Sequence, residues 1–315
     1  MRIVLTDAAT LGKDNGPLHV FEKLGTVEIY PTTAPGETAA RIREADAVLC
    51  NKTLLTADVL AQAPHLRYIG LFATGYNNID TAYAHDHGIV VSNVPGYSTD
   101  AVAQHVFALL LAHCSRVAEF DAYTRAGNWQ YSQTFSPFLC ETSEIAGKTL
   151  GIVGYGAIGR KVARIALAFG MRVLVYTRTP RQDDSVTFVS FQQLLEQSDV
   201  ITVHCPLTPA SERMFDAAAF AACKKGAYFI NTARGGVVDE AALRQAVLDG
   251  TLGGAAVDVV TTEPMPADCP LAGVPGITIT PHVAWAPVET RQRLTQMVFD
   301  QLAAFLQGKP IHVVS

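Results

Sequence analysis

Short apolar runs alternate with segments of helical apolar spacing along the whole chain. In the N-terminal third these runs predict strands at 3–6, 27–30, 47–50, 68–72 and 89–92, with helices such as 37–44 between them. Alternation of this kind is typical of a parallel sheet that is covered by helices on both faces. The pattern therefore predicts an α/β fold that begins with a small doubly wound domain.

A second series of apolar runs predicts strands at 149–153, 172–176, 200–203, 227–231, 255–258 and 277–280. Between the two series, Thr99 and Asp100 resemble a helix cap, and the apolar residues after them repeat at helical spacing. The apolar face of this long linking helix comprises Val102, Val106, Leu109, Leu110 and Cys114. The second series predicts a second doubly wound domain, of the Rossmann type, at 99–286.

The helical stretch at 288–306 has no strand partner of its own. We therefore expect it to cross back and pack on the first domain, which would comprise residues 1–98 and 287–315. Two domains also suit a chain of 315 residues, because single hydrophobic cores stop growing at about 250–300 residues.

Composition excludes several classes of partner. The formal net charge is −5 and the Lys and Arg residues are scattered, so no nucleic-acid surface is predicted. No apolar stretch reaches the roughly 18 residues of a membrane span, and the N-terminal apolar run ends at Asp7. The cysteines form no CxxC pair, which favours reduced thiols over a metal site; they are Cys50, Cys114, Cys140, Cys205, Cys223 and Cys269. We expect no metal, no membrane association and a cytoplasmic location.

The chain carries a GxGxxG motif, Gly154-Tyr155-Gly156-Ala157-Ile158-Gly159. The motif alone is weak, but here it follows the predicted strand at 149–153 and opens a predicted helix. In a dinucleotide site the first glycine makes a tight turn, the second lets the backbone approach the pyrophosphate, and the third lets helix and strand pack closely. The helix N-terminus then faces the anion. The motif therefore predicts a dinucleotide-binding loop.

An acidic residue usually ends the second strand of an NAD site, where it bonds the ribose 2′-hydroxyl. Here that position is Thr177, and Arg178, Thr179 and Arg181 follow it. Because the repelling charge is missing and cations are present, we expect the site to accept a 2′-phosphate and to prefer NADP(H). In the alternative, the arginines are solvated loop charges and the site accepts NAD(H) as well.

Three polar residues follow strands of the second series, where ligands bind in open α/β sheets. Arg234 follows the strand at 227–231 and offers a planar fork that suits a carboxylate. Glu263 and His282 follow the next two strands. Taken singly, each has a structural interpretation: a surface cation, a turn residue before proline, and a hydrogen-bonded structural histidine.

Together these segments resemble the D-isomer-specific 2-hydroxyacid dehydrogenase family across essentially the whole chain. The likeness is carried by residues 154–159, 204–208, 231–235, 258–264 and 280–285. The segments 68–77 and 93–99 resemble the glycerate dehydrogenase, or hydroxypyruvate reductase, branch. The resemblance implies NAD(P)-dependent reduction of a small 2-keto acid, of the hydroxypyruvate or glyoxylate type, to the D-2-hydroxy acid.

In that family the matching Arg, Glu and His form the catalytic triad. The resemblance therefore implies that His282 is the general acid/base, that Glu263 orients it and favours its protonated form, and that Arg234 holds the substrate carboxylate. It further implies that the backbone amides of Ala73, Thr74 and Gly75 complete the carboxylate cradle from the other domain, across a cleft. The remaining cofactor contacts that it implies are His204, Cys205, Pro206, Thr232, Ala233 and Asp258.

The resemblance also implies a homodimer, with the helix from Asp100 and the segment through Trp129 as the interface. In the alternative, the apolar residues of that helix, such as Val106 and Leu109, pack inside one subunit.

Two positions depart from the family pattern: Gln104 stands where an acid is frequent, and Thr177 replaces the cofactor-strand acid. Two rival functions have to be weighed, a dinucleotide-sensing protein like the family's transcriptional corepressor and a formate or phosphite dehydrogenase. The complete triad argues against the sensor. Glu263 argues against the formate enzyme, because the family's formate enzymes carry Gln there.

Overall fold

The computed structural model describes residues 1–14, 16–179 and 182–315. Within them the strands are β1 (Arg2–Leu5), β2 (Thr26–Ile29), β3 (Ala47–Cys50), β4 (Tyr68–Leu71), β5 (Val90–Ser92), β6 (Thr149–Val153), β7 (Arg172–Tyr176), β8 (Thr187–Phe188), β9 (Val200–Val203), β10 (Ala227–Asn231), β11 (Leu252–Val257) and β12 (Ile277–Ile279). The helices are α1 (Thr38–Ile42), α2 (Ala57–Leu60), α3 (Thr81–Asp86), α4 (Thr99–Ser115), α5 (Val117–Arg125), α6 (Ala157–Ala168), α7 (Phe191–Gln197), α8 (Ala217–Ala221), α9 (Glu240–Leu248) and α10 (Val288–Leu306).

The first compact unit consists of Met1–Ser98 and Ala286–Ser315. Its sheet has five parallel strands in the order β2-β1-β3-β4-β5. α10 packs on this sheet, where the ring of Phe305 lies 4.8 Å from the ring of Tyr68 on β4. The last helix of the chain therefore belongs to the core of its first unit.

A buried carboxylate ties two strand ends of this unit together. Asp7 follows β1 and is only 6% exposed. Its oxygens accept hydrogen bonds of 2.6–3.1 Å from the backbone amides of Asn51, Lys52 and Thr53, which follow β3. Because a buried charge is costly unless such donors surround it, the conformation of the loop after β3 is fixed by Asp7.

The second compact unit is Thr99–Trp285. It contains seven parallel strands in the order β12-β11-β10-β9-β6-β7-β8. From β6 the chain proceeds to β7 and β8 on one side, and it then continues with β9 on the other side of β6. The strand order therefore reverses between β6 and β9, and ligands bind at such a point in open α/β sheets.

The predicted α/β class is confirmed, and β6, β7, β9 and β10 have the predicted bounds. β8 has two residues, and no apolar run predicts it. β11 begins at Leu252, three residues before the predicted start at 255. The prediction missed this start because Gly253 and Gly254 interrupt the apolar pattern. At Gly253 a Cβ would lie 2.6 Å from the carbonyl oxygen of Gly226, so close backbone packing requires glycine.

The apolar face of α4 is buried inside the second unit. Val106 and Leu109 lie in the same core cluster as Val162 of α6. The alternative in which this face packs within one subunit is therefore correct. Among the described residues no single helix is long and apolar enough to span a membrane; α4 and α5 pass that test only as a pair, across a bend of 56°.

Candidate active site

The glycine loop connects β6 to α6, and each of its glycines has a different surrounding. A Cβ at Gly154, which has φ +97°, would lie 2.7 Å from the backbone nitrogen of Cys205. A Cβ at Gly159 would lie 2.2 Å from the carbonyl oxygen of Gly154. Around Gly156, in contrast, nothing lies within 4 Å of that position. The first and third glycines therefore serve packing, while the second leaves the backbone open to a ligand.

The N-terminus of α6 presents donors to that open space. The amides of Gly156, Ala157 and Ile158 donate to no acceptor in the part of the chain that the structure describes. Such amides, together with the helix dipole, suit a pyrophosphate. The hydroxyl of Thr232 is also buried without a hydrogen-bond partner among the described residues. These features fit a dinucleotide cofactor, which the glycine loop would hold by its backbone.

The side chain of Tyr155 has a structural task within this loop. Its hydroxyl donates to Asp183 Oδ2 at 2.6 Å, and its ring meets that of Phe188 edge-on at 5.5 Å. Burial, and then the hydrogen bond to Asp183, raise the pKa of Tyr155 to about 12. Tyr155 therefore anchors the loop after β7. No sequence signal pointed to Asp183.

Thr177, Arg178 and Thr179 follow β7, and Arg178 is exposed. Burial raises the pKa of the Cys205 thiol, and the charge of the Arg178 guanidinium acts in the opposite direction. The backbone of Cys205 also packs against Gly154 of the glycine loop. Arg181, the second predicted cation, lies outside the described residues.

His204 and Pro206 flank Cys205 after β9. Burial lowers the pKa of His204 to about 3, so its ring is neutral at physiological pH. The ring lies 3.0 Å from the hydroxyl of Thr202, and the carbonyl of Pro206 accepts from Ser211 at 2.7 Å. Hydrogen bonds therefore hold the segment at 204–206 in place, and its backbone packs against the glycine loop.

Arg234 stands on a loop that its neighbours shape. The buried Asn231 side chain donates to the carbonyl of Arg234 at 2.9 Å and accepts from the amide of Ala233 at 3.0 Å. A Cβ at Gly235 would lie 2.0 Å from the carbonyl carbon of Val260, so this loop rests directly on the loop that follows β11. Asn231 and Gly235 belong to the motif that the sequence singles out, but their structural roles were not predicted.

Glu263 and His282 are hydrogen-bonded, with 2.6 Å between Glu263 Oε2 and His282 Nδ1. The other carboxylate oxygen accepts from the amide of Val260 at 3.2 Å. Both side chains keep about a third of their surface exposed, 33% for Glu263 and 28% for His282. Because Nδ1 is bonded to the carboxylate, Nε2 is the ring nitrogen that remains for a substrate.

A second carboxylate shapes the loop that carries His282. Asp258 is 1% exposed, and it accepts from the amides of Val283 and Ala284, each at 2.9 Å, and from the hydroxyl of Thr280 at 2.6 Å. His282 itself has a left-handed φ of +54°. The cofactor contact that the sequence predicts for Asp258 stays a prediction, and in the structure its buried carboxylate holds the histidine loop.

Ala73, Thr74 and Gly75 follow β4 in the first unit. The hydroxyl of Thr74 donates to the carbonyl of Val94 at 2.8 Å, and the amide side chain of Asn93 donates to the carbonyl of Thr74 at 2.6 Å. In the described chain none of the amides at 73–75 has an acceptor. Three consecutive amides without acceptors are suited to an anion such as a carboxylate.

A family model described as "D-isomer specific 2-hydroxyacid dehydrogenase, NAD binding domain" matches residues 107–284. The chain belongs to the D-isomer-specific 2-hydroxyacid dehydrogenase family. It is 37% identical, over 321 aligned positions covering 100% of both chains, to a hydroxypyruvate reductase from Blautia hydrogenotrophica. It is 42% identical over 290 positions, 91% of each chain, to a glycerate dehydrogenase from Methylorubrum extorquens.

A solved structure gives the same result for the fold. An NADPH-dependent glyoxylate/hydroxypyruvate reductase from Sinorhizobium meliloti, in complex with NADP and malonate, superposes with a TM-score of 0.86 at 29% identity, covering 100% of this chain and 96% of that chain. The family resemblance is therefore confirmed, and this 2-hydroxyacid dehydrogenase uses a nicotinamide dinucleotide. Among the described residues no group of three or more His, Cys, Asp or Glu side chains could hold a metal ion.

Replacing Glu263 with Gln tests the pair with His282. The substitution keeps the shape of the side chain but removes the charge that favours a protonated ring. We expect keto-acid reduction, which consumes a proton, to fade at a lower pH than in the wild type. The measurement is kcat/KM against pH, with the exposed Glu289→Gln as control. An unchanged profile in Glu263→Gln would contradict the pairing.

Proposed function

We propose that this dehydrogenase reduces hydroxypyruvate or glyoxylate to D-glycerate or glycolate, with NADP(H) preferred over NAD(H). The observation that carries the proposal is the 2.6 Å hydrogen bond between Glu263 and His282. The loop of Glu263, which follows β11, packs against the loop that bears Arg234. The substrate class is supported by the relatives named hydroxypyruvate reductase and glycerate dehydrogenase, which align along the chain.

In this proposal each polar group has one task. His282 gives the proton on Nε2 to the carbonyl oxygen of the keto acid and takes it back in the reverse reaction, which contributes about 10²- to 10⁴-fold. Glu263 holds the imidazole ring of His282 in place, and its negative charge balances the positive charge of the protonated ring. Arg234 binds the substrate carboxylate by its planar fork. The bound dinucleotide supplies the hydride for the carbonyl carbon.

The alternatives from other classes are not favoured. A corepressor-like sensor does not need an acid/base pair, and the relatives along the full chain carry the names of oxidoreductases. A formate or phosphite dehydrogenase acts on a substrate without a keto group. The carboxylate of Glu263 on His282 instead supports proton donation to a carbonyl.

Initial rates with purified protein test the proposal. We expect NADPH oxidation to be faster with hydroxypyruvate or glyoxylate than with pyruvate or phenylpyruvate. His282→Ala is expected to lower kcat by at least about 100-fold while NADPH still quenches protein fluorescence, because the ring acts in proton transfer. Inactivity of the wild type with all four keto acids would favour the sensor, and reduction of NADP or NAD by formate would favour the formate enzyme.

The cofactor preference rests on Arg178. It lies two residues after the end of β7, and the acid that usually ends this strand in an NAD site is replaced by Thr177. A guanidinium in that place supports recognition of a 2′-phosphate by charge-assisted hydrogen bonds.

Arg178→Ala is expected to raise the KM for NADPH by about tenfold or more, because hydrogen bonds to charged groups contribute about 1.5–3 kcal/mol. The KM for NADH is expected to stay unchanged. Arg172→Ala, at the opposite end of β7, is the matched control. An equal rise for NADH and NADPH would remove the 2′-phosphate assignment.

We further propose a homodimer. Because the apolar face of α4 is buried, its interface would lie after α5, where several large apolar side chains are exposed: Trp129 (53%), Tyr131 (80%), Phe135 (89%) and Phe138 (93%). Exposed apolar side chains clustered in one segment are typical of protein–protein contacts. The cytoplasm is the proposed location, and six cysteines without disulfides are in keeping with a reducing compartment.

Light scattering at several concentrations tests the dimer. We expect the wild type to have close to twice the chain mass of 33.8 kDa. The double substitution Phe135→Ser and Phe138→Ser is expected to give monomers, because it removes apolar area from the interface. Leu306→Ser, at an exposed position on α10, is the control. A monomeric wild type would contradict the proposal.

A further inference from the structure

His105 is a histidine on α4 that none of the roles above uses. Its Nε2 lies 3.0 Å from the hydroxyl oxygen of Thr280 and 3.5 Å from Asp258 Oδ1. The side chain is 20% exposed, so most of it is packed within the second unit. His105 therefore contacts the group that shapes the loop of His282.

The hydrogen bonds assign the proton on His105. A threonine hydroxyl has one hydrogen to donate. Thr280 directs that hydrogen to Asp258, over 2.6 Å, because an ionised carboxylate can only accept. Towards His105 the hydroxyl oxygen must then accept. Nε2 of His105 consequently carries a hydrogen and donates it, whether the ring is neutral or charged.

This donor is the first link of a connected chain. His105 fixes the hydroxyl of Thr280, Thr280 donates to Asp258, and Asp258 holds the amides of Val283 and Ala284. The amide of His282 donates to the carbonyl of Asp258 at 2.8 Å. Because the hydroxyl of Thr280 would lose the donor that fixes its orientation towards Asp258, loss of His105 would loosen the loop that this carboxylate holds.

We infer that His105 is a positioning residue for His282. It acts through Thr280 and Asp258, without contact with the reacting groups. The inference rests on the proposed function for its kinetic test, since His282 must be the acid/base. Misplacement of a catalytic group by about 1 Å is sufficient to cost up to about 100-fold in rate.

Three substitutions at His105 separate hydrogen bonding from packing. Gln places an amide nitrogen near the position of Nε2, Asn reaches only the position of Nδ1, and Leu has no donor. We expect His105→Leu and His105→Asn to lower kcat with hydroxypyruvate by at least about tenfold, and His105→Gln to restore most of the rate. NADPH-binding stoichiometry and Tm are expected to remain close to those of the wild type.

His113→Leu is the matched control, because His113 lies on the same helix and is packed by stacking on Tyr228, 3.8 Å away. We expect this variant to change Tm without a comparable loss of kcat. A loss of kcat equal to that of His105→Leu, or equal activity of the Gln, Asn and Leu variants, would overturn the positioning role.

Hydrogen exchange measured by mass spectrometry gives a readout without turnover. Peptides that cover 279–286 are expected to exchange faster in His105→Leu than in the wild type, because the amides of Val283 and Ala284 lose a well-ordered acceptor. Unchanged exchange would overturn the inference. If the wild type fails to reduce any keto acid, the proposed function falls, while the exchange experiment still decides whether His105 orders the loop.

Discussion

The polar site of the second unit depends on the hydrogen bonds that the buried carboxylate of Asp258 accepts. The donors of these hydrogen bonds are main-chain amides and a hydroxyl that belong to the loop of His282. A buried charge tolerates few arrangements of its donors, since each one that is lost leaves the charge less compensated. The loop is therefore held in one conformation, in which His282 adopts a left-handed backbone and meets Glu263.

Close backbone approach is the second constraint. Gly154 packs on the segment of His204 and Cys205, and Gly235 packs on the backbone of Val260. A side chain at either glycine would force the loops apart. The glycine loop and the loop of Arg234 are thus positioned by contacts between main chains.

The sequence was sufficient for the fold class and for most strands of the second unit, because buried parallel strands are continuous apolar runs. β8 and the start of β11 were not predicted. β8 has only two residues, and β11 begins with two glycines after Leu252, so neither gives a recognisable apolar run. In the site, Arg234, Glu263 and His282 were singled out by their positions after strands, but their roles came from the family resemblance, because each residue alone also has a structural interpretation. The task of Asp258 could not be predicted, because its donors at 283 and 284 are amides, and an amide has no signature in a sequence. Asp183 and His105 were missed for a related reason: their partners are adjacent only after folding.

Asp7 in the first unit does for the loop after β3 what Asp258 does for the histidine loop. At Lys52 this carboxylate accepts from the main-chain amide, a hydrogen bond that every residue except proline can donate. The loop lies beside the segment at 73–75, because β3 and β4 are neighbours in the sheet. In such a loop the buried carboxylate fixes the backbone, whereas the side chains can vary. Substitutions in the loop after β3 can therefore introduce new side chains while the buried carboxylate keeps the backbone in place, which offers one route by which members of a fold family diverge.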